Sequence, residues 1–309
     1  MRNAFAAHLL TLADENPTIF LVSGDIGNRL FDEYRGSFPD RFINTGVAEQ
    51  NMIGVAAGLA ESGYHPIVYT IASFSTARCY EQIKLDLCYH DKAVTIVGTG
   101  AGLSYAALGP THYSLEDLAI MRVLPNMHVL APCDILEVKT CLNIASSLSH
   151  PCYLRLGKKG EPVVHQSLPD FEVGCWLEVD SGDQILILGA GTAVPMARRI
   201  REKLKTHGIS AKVVSCPSVK PLDEAFLMDN CGKFSVVVTV EEHSRIGGFG
   251  SAVLEWAEAN SVFDQRFLRL GTNDEYPQAL GDQEYTRDIL GLGIDRMCEL
   301  IRSRIPETL

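Results

Sequence analysis

Short apolar runs alternate with longer segments of helical periodicity along most of the chain. Each run is almost entirely apolar or β-branched, which is typical of strands that are covered on both faces. The runs predict strands at residues 18–22, 67–69, 93–97, 127–130, 152–154, 184–188, 211–214, 235–240 and 267–270.

Helical patterns lie between the predicted strands. Residues 48–61 form one predicted helix, which ends before Gly63, and residues 192–206 form another, with two lysines in its last turn. A final helix is predicted from about 285 to 304. Alternating strands and helices predict parallel sheets joined by right-handed crossovers, and therefore an α/β fold.

One polar stretch interrupts this alternation. Residues 157–183 contain two lysines, two prolines and four glycines and have weak periodicity, so we interpret them as a linker. We therefore expect two doubly wound α/β domains, at 1–156 and 184–309. The length of 309 residues suits two domains of ordinary size.

Composition and charge narrow the function. The chain is 46% hydrophobic and carries a net charge of -11, so it can bury large cores but repels phosphate backbones. Nucleic acid is therefore not an expected partner. Nine cysteines, without CxxC spacing, indicate reduced and mostly buried thiols, so no metal site is predicted in this chain. A zinc site is the less favoured alternative, because no pair of ligands is close in sequence. Neither a signal peptide nor an apolar run of about 18 residues is present, so we expect a soluble, cytoplasmic protein without membrane contact.

Glu49 is the first candidate for chemistry. It lies in Gly46-Val47-Ala48-Glu49-Gln50, between a short predicted strand at 41–44 and the helix at 48–61. Ligands of open α/β sheets bind beyond the carboxyl ends of strands, and the flanking residues are small or apolar. The alternative is a helix-start glutamate that only favours the dipole.

His112 is the second candidate. It follows the glycine-rich stretch 98–109 and the motif Gly109-Pro110-Thr111-His112, just after a strong predicted strand. Glycines let backbone approach a ligand closely, and a histidine in such a loop can transfer protons. The alternative is a flexible connection to the helix predicted at 114–122.

Two further stretches offer binding groups. Arg155 stands in Tyr153-Leu154-Arg155-Leu156-Gly157-Lys158-Lys159, at a strand end where it could hold a phosphate or sulfonate. Phe74, at the start of a predicted helix, could stack on a flat ring. The alternatives are a solvated basic turn and an ordinary core aromatic.

In order and spacing, these segments resemble the transketolase family over nearly the whole chain. The resemblance also rests on 23–25, 122–127, Lys220-Pro221-Leu222-Asp223 and Glu241-Glu242-His243-Ser244-Arg245-Ile246-Gly247-Gly248-Phe249-Gly250. It implies a pyrimidine-binding domain for thiamine diphosphate followed by the family's C-terminal domain. The signature of the family's diphosphate domain, GDG followed by NN, is absent from this sequence. The resemblance therefore implies a split transketolase whose N-terminal subunit supplies that domain and its Mg²⁺, in an α2β2 heterotetramer.

The resemblance also implies roles for individual residues. Glu49 would hydrogen-bond the aminopyrimidine ring, Phe74 would stack on it, and Arg78 would lie beside it. Arg78 matches the related deoxyxylulose-phosphate synthases, although aligning it together with Phe74 needs a one-residue slip. Asp25 would reach the cofactor near the subunit interface.

The substrate would meet two further residues by the same resemblance. His112 would contact its carbonyl and hydroxyl oxygens and assist proton transfer, and Arg155 would hold the anionic end of the acceptor. The implied reaction moves a two-carbon ketol unit from a ketose to an aldehyde.

Two departures from the family pattern leave the sugar open. Leu108 stands where typical transketolases have an aspartate, and Gly98-Thr99-Gly100-Ala101-Gly102 lacks their phosphate-binding histidine. A shorter, branched or sulfonated sugar and a biosynthetic acyl acceptor stay open, as do the donor and the identity of the partner.

Three alternatives remain at this point. The β subunit of a 2-oxo-acid dehydrogenase has the same two domains and the same glutamate, but its loop around the histidine usually differs from Leu108-Gly109-Pro110-Thr111-His112. A deoxyxylulose-phosphate-synthase-like enzyme is disfavoured by the split chain. A non-catalytic interaction subunit is disfavoured because Glu49 is retained.

Overall fold

Strands and helices alternate through the computed structural model, which describes residues 1–27, 29–262 and 266–306. The described strands are β1 (Ile19–Ser23), β2 (Phe42–Asn44), β3 (His65–Ile71), β4 (Thr95–Thr99), β5 (His128–Leu130), β6 (Cys152–Leu156), β7 (Leu177–Asp180), β8 (Ile185–Ala190), β9 (Ala211–Ser215), β10 (Ser218–Lys220), β11 (Val236–Ser244) and β12 (Arg266–Thr272). The described helices are α1 (Arg2–Glu15), α2 (Asp32–Ser37), α3 (Glu49–Glu61), α4 (Tyr80–Gln82), α5 (Asp117–Arg122), α6 (Ile135–Ser147), α7 (Val194–Lys205), α8 (Glu224–Asn230), α9 (Phe249–Ala259), α10 (Gln283–Arg287) and α11 (Ile294–Arg302).

The first sheet has the strand order β10-β5-β6-β4-β3-β1-β2. The strands from the first half of the chain pair in parallel, as their apolar runs predict. All seven residues of β3 are buried, because helices cover both faces of the sheet. Helices α1 and α6 pack on one face, whereas α3, α5 and a helical segment at Ile83–Tyr89 pack on the other.

The second sheet has the order β12-β11-β8-β9-β7, and all its pairs are parallel except β7 with β9. Helices α7 and α11 cover one face. On the other face, α9 packs toward the first domain, and one apolar cluster joins Met52 and Leu118 to Leu186 and Phe249. Because this cluster spans both domains, they share a continuous core. Burial of each such side chain stabilises the fold by about 1.5–3 kcal/mol.

The doubly wound α/β fold is confirmed, and the structure differs from the sequence prediction in three places. The range predicted as a linker contains β7, which forms an edge of the second sheet. Strand β10, from the second half of the chain, pairs antiparallel with β5 in the first sheet. The final helix is broken where Gly291 adopts a φ of 92°, a conformation that glycine adopts without strain.

Parts of the predicted second domain lie outside the described ranges, namely residues 263–265 and 307–309. Within the described residues, the model holds no helix of the length and apolarity that a bilayer crossing requires. The nine cysteines, all of them in the described ranges, form no disulfide, and only Cys175 is exposed.

Candidate active site

The carboxyl edge of the first sheet gathers most of the predicted site residues. Asp25 follows β1, Glu49 follows β2, Phe74 and Arg78 follow β3, and His112 lies in the loop after β4. Parallel strands end at the same edge of a sheet, and ligands of open α/β sheets bind there. The strand-end reasoning applied to the sequence is therefore consistent with where these five residues lie.

Glu49 opens helix α3 and is buried, with 5% of its surface exposed. Both oxygens of its carboxylate accept hydrogen bonds from Nη1 of Arg78, at 3.2 and 3.3 Å. The side chain of Arg78 is 48% exposed, so the ion pair opens to solvent on the arginine side. The carboxylate is thus shielded from water, yet a ligand could reach it by displacing one flexible side chain.

A π-helical turn at Phe74–Arg78 shapes the next part of the site. Such a turn holds about one residue more than an α-helical turn and is frequent at functional sites. It places the Cζ atom of Arg78 3.8 Å from the centre of the Phe74 ring, in a cation–π contact.

His112 completes this group of side chains. Its ring centre lies 5.3 Å from that of Phe74, in an edge-to-face arrangement. The hydroxyl of Thr111 lies 2.8 Å from Nδ1 of His112, which fixes that side of the ring. Nε2 of His112 has no hydrogen-bond partner among the described residues, so the half-buried ring can offer this nitrogen to a ligand.

Arg155 is turned inward and is not brought together with Glu49 and His112, so its contact with substrate stays a prediction. It is 3% exposed, and its Nε and Nη2 donate to Asp117 at 2.7 and 3.0 Å. Nη2 also reaches the backbone carbonyls of Ser114 and Glu242, at 3.3 and 3.0 Å. These internal acceptors occupy the guanidinium, because Arg155 lies inside β6 rather than beyond its end.

Lys158 is a cation that is connected to His112 through the ring of Tyr105. It follows β6 by two residues and is half-buried, and its Nζ lies 4.4 Å from the centre of the Tyr105 ring. The Tyr105 ring centre is in turn 6.4 Å from that of His112. The sequence showed a basic stretch at this strand end, but it did not show that β6 extends to Leu156. That strand end places Arg155 inside the sheet and Lys158 beyond it.

The glycine-rich loop after β4 is held by the second domain. Gly102 has a φ of 60°, and a side chain there would overlap the carboxylate of Glu242, which accepts a hydrogen bond from the backbone N–H of Leu103 at 2.6 Å. At Gly100 a side chain would overlap Tyr105. Gly100 and Gly102 therefore make room for side chains of the protein itself, whereas the sequence analysis expected such glycines to make room for a ligand. Glu242 was not identified as a site-supporting residue, since 139 residues separate it from Leu103.

Asp25 lies on the same sheet edge in a separate concavity. It is exposed, has a φ of 57°, and accepts a hydrogen bond from Nδ2 of Asn44 at 2.9 Å. Asn44 in turn accepts the backbone N–H of Gly46 at 2.9 Å. Asp25 lines this concavity together with Arg29 and Arg35. The described residues that line this concavity do not include Glu49, so Asp25 belongs to a different part of the sheet edge.

Two family models match this chain. The transketolase pyrimidine binding domain matches residues 1–161, and the transketolase C-terminal domain matches residues 174–289.

Three curated relatives illustrate the sequence similarity. A putative transketolase C-terminal section from Methanocaldococcus jannaschii is 35% identical over 279 residues, which cover 89% of this chain and 87% of that protein. One of the subunits of an apulose-4-phosphate transketolase from Phocaeicola vulgatus is 35% identical over 264 residues, which cover 84% of each. A 1-deoxy-D-xylulose-5-phosphate synthase from Bacillus cereus is 33% identical over 300 residues, which cover 96% of this chain but 47% of that protein.

Solved structures agree with these similarities. A split gene transketolase, described as an inactive beta4 tetramer, has a TM-score of 0.88 and 34% identity, covering 98% of this chain and 97% of that one. A transketolase from Campylobacter jejuni has a TM-score of 0.81 at 19% identity, covering 98% of this chain and 46% of that one, which is a likeness of fold. This chain belongs to the transketolase family and contains that family's pyrimidine-binding domain followed by its C-terminal domain.

Proposed function

We propose that this chain is the pyrimidine-binding subunit of a thiamine-diphosphate-dependent transketolase and that it works only with a partner subunit. The transketolase family depends on thiamine diphosphate. Relatives named as a C-terminal section and as one subunit of a transketolase support a second chain, and a related tetramer of one chain type is described as inactive. We expect two copies of each chain in a heterotetramer, with the diphosphate and Mg²⁺ held by the partner.

Glu49 is the observation that carries this proposal. Its buried carboxylate accepts two N–H contacts from a half-exposed arginine at 3.2 and 3.3 Å. A pyrimidine nitrogen that carries a proton is a donor of the same kind, so it fits the place that Arg78 occupies. When bound, thiamine diphosphate supplies the nucleophilic carbon and the electron sink for carbon–carbon cleavage.

The residues around Glu49 would orient the reactants and move protons. Glu49 would hold a proton at the ring nitrogen, and the half-buried Phe74 would offer a flat surface to the pyrimidine. His112 would use its unengaged Nε2 to move a proton at a substrate hydroxyl. Positioned acid–base groups of this kind contribute about 10²–10⁴-fold to a rate.

The substrate class follows from the cation and the apolar side chain near His112. Lys158 replaces Arg155 in the proposal as the group that holds an anionic end, because its ammonium lies at the site's rim beside Tyr105. Leu108 is 52% exposed and presents no hydrogen-bonding group to a sugar hydroxyl. We therefore expect a ketose donor or aldehyde acceptor with one anionic end, without selection by a carboxylate at position 108.

A deoxyxylulose-phosphate-synthase-like activity is the second candidate. Its support is the 33% identity to such a synthase over 96% of this chain. Arg78 agrees with it, since the sequence pattern around this residue resembles those synthases. In that case a 2-oxo acid, rather than a ketose, would donate the carbon unit, with the same role for Glu49.

The test uses this chain co-expressed with a subunit that carries the diphosphate-binding domain. The purified pair is assayed with thiamine diphosphate, Mg²⁺, a panel of ketoses and aldehydes, and separately with pyruvate as donor. We expect ketose consumption by the pair and none by either chain alone. Pyruvate consumption without ketose consumption would favour the second candidate.

Glu49→Gln provides the residue-level test in the same pair. We expect it to lower kcat by about 10²–10⁴-fold while the heterotetramer still forms, because the amide cannot hold the proton. Glu61→Gln is the matched control, since it lies on the same helix with its side chain 70% exposed. Full activity in Glu49→Gln would contradict the assigned role.

A further inference from the structure

Three side chains of different chemistry converge where the stretch after β6 crosses the start of α6. They are Cys133, Glu137 and His165, and their possible ligand atoms all lie within 4.8 Å of one another. Nε2 of His165 is 2.6 Å from Oε1 of Glu137 and 3.9 Å from Sγ of Cys133. Cys133 and Glu137 are fully buried, whereas the side chain of His165 is 13% exposed. The cluster is therefore closed except at the histidine.

One hydrogen bond orients the side chain of Glu137, and two others hold the backbone at His165. The backbone N–H of Cys133 donates to Oε2 of Glu137 at 2.7 Å, which leaves Oε1 turned toward the histidine. Asp134 caps α6 and also accepts the N–H groups of Val164 and His165, at 2.7 and 3.0 Å. Such supporting bonds fix ligand positions in metal sites, so this arrangement is prepared before any ion binds.

The three groups are ligands that Zn²⁺ uses. Zinc binds thiolate at about 2.3 Å and imidazole or carboxylate at about 2.0–2.2 Å, in tetrahedral geometry that spaces ligand atoms by roughly 3.3–3.8 Å. The distance of 3.9 Å between sulfur and nitrogen is close to that spacing. The distance of 2.6 Å between nitrogen and oxygen is that of a hydrogen bond and must widen when an ion binds, and His165 lies at the open side of the cluster, where it can move.

We propose that Cys133, Glu137 and His165 bind one zinc ion, with water as the fourth ligand on the exposed side of His165. The ion ties the stretch after β6 to the start of α6. Its charge of +2 balances the thiolate and the carboxylate, which a buried site requires. The site is independent of the proposed transketolase activity, since none of its ligands belongs to the group around Glu49.

Proton release accompanies this binding. Burial, followed by the nearby carboxylate of Glu137, raises the pKa of the Cys133 thiol well above its ordinary range, so the cysteine is a neutral thiol in the absence of an ion. Zinc must displace that proton to solvent, together with any proton that His165 carries beside Glu137. The zinc affinity should therefore rise with pH.

The experiment loads the full-length chain with a metal ion and identifies its ligands. A Cys175→Ser background removes the exposed thiol, which is the one most open to adventitious metal. Chelator-treated protein is titrated with Zn²⁺, and bound zinc is counted after gel filtration. Co²⁺ is then used as the spectroscopic probe, since a bound thiolate gives a charge-transfer band and tetrahedral ligands give strong visible bands. We expect one zinc per chain, a rise in Tm with zinc, and both cobalt signatures.

Two variants make the result decisive. Cys133→Ser should lose the charge-transfer band, and His165→Gln, which keeps an N–H donor toward Glu137, should lose stoichiometric zinc and the zinc-dependent rise in Tm. Cys141→Ser, which changes a buried cysteine of α6 outside the cluster, should keep all three signals. The proposal is overturned if the parent retains no zinc, or if both ligand variants retain it as the parent does.

Discussion

Two buried carboxylates of the first domain each pair with an arginine, and the two pairs differ in their surroundings. Asp117 and Arg155 are both inside the protein, at 0% and 3% exposure, and the hydroxyl of Tyr153 adds a third hydrogen bond to Asp117 at 2.7 Å. Glu49 is nearly as buried, at 5%, but Arg78 is 48% exposed. One pair is closed to solvent, and the other is open on its cationic side.

This difference separates a structural pair from a candidate site. Breaking a closed pair leaves an uncompensated buried charge, which costs about 3–5 kcal/mol. Opening the Glu49–Arg78 pair moves one arginine into water that it already contacts, and the carboxylate of Glu49 then needs a donor from a ligand in its place. A buried carboxylate paired with an arginine can therefore be either a structural ion pair or part of a binding site, and the exposure of the arginine distinguishes the two cases.

The largest expected effect on stability is that of Asp117→Asn. The change leaves Arg155 without its counter-charge. Burial by itself would raise the pKa of Asp117, but Arg155 and its neighbours outweigh burial and lower that pKa, so the carboxylate is charged in the native protein. We expect the free energy of unfolding in urea to fall by about 3–5 kcal/mol. Glu116→Gln, at the exposed neighbouring position, is the control, and equal losses in the two variants would mean that the pair is not closed.

His65 makes the stability of the buried first sheet depend on pH. It is buried at the start of β3, contacts the Thr95 hydroxyl at 3.0 Å, and burial lowers its pKa to about 4. The unfolded chain binds a proton at His65 below about pH 6.5, whereas the folded chain does not until about pH 4, so stability is lost as pH falls through that window. The full effect is about 3 kcal/mol. His65→Gln should flatten the difference between urea midpoints at pH 7 and pH 4.5, and an unchanged slope would contradict this assignment.

Glu242→Gln should have a smaller effect, at the contact between the domains. Glu242 is buried and accepts from Leu103 at 2.6 Å and from Gln283 at 3.0 Å, besides its ion pair with Arg287. The amide keeps the shape but loses the charge, so we expect about 1–3 kcal/mol of destabilisation and faster hydrogen exchange at Leu103. Glu284→Gln, the exposed partner of the same arginine, should leave that exchange unchanged.

The smallest effect is expected from Arg78→Lys, and it is best measured beside Arg155→Lys. Lysine keeps the charge but loses the planar group in both pairs. We expect less than about 1 kcal/mol at the half-exposed Arg78. At Arg155, where hydrogen bonds to a buried charge are lost, we expect about 2–3 kcal/mol. Equal costs in urea denaturation would remove the distinction between the open and closed pairs.

The sequence predicts those features that local pattern determines. Buried parallel strands follow from apolar runs, and strand ends place Glu49, Phe74 and His112 at one sheet edge. The burial of Arg155 could not be predicted, because the strand extends two residues further than its apolar run, to Leu156 instead of Leu154. This small difference decides whether the arginine lies inside the sheet or beyond its end. The hydrogen bond from Leu103 to Glu242 could not be predicted either, since no local pattern specifies a partner 139 residues away.

Strand β10 has a consequence for how this polypeptide can be divided. It comes from the second half of the chain, yet it pairs with β5 in the first sheet, and the N–H of Ala131 donates to the carbonyl of Pro217 at 2.7 Å beside it. A fragment that stops after the first domain would lose the edge strand β10 and expose unpaired backbone groups of β5, which promotes aggregation. We therefore expect the two domains to fold as one unit, because a cut between them would separate β5 from the strand that pairs with it.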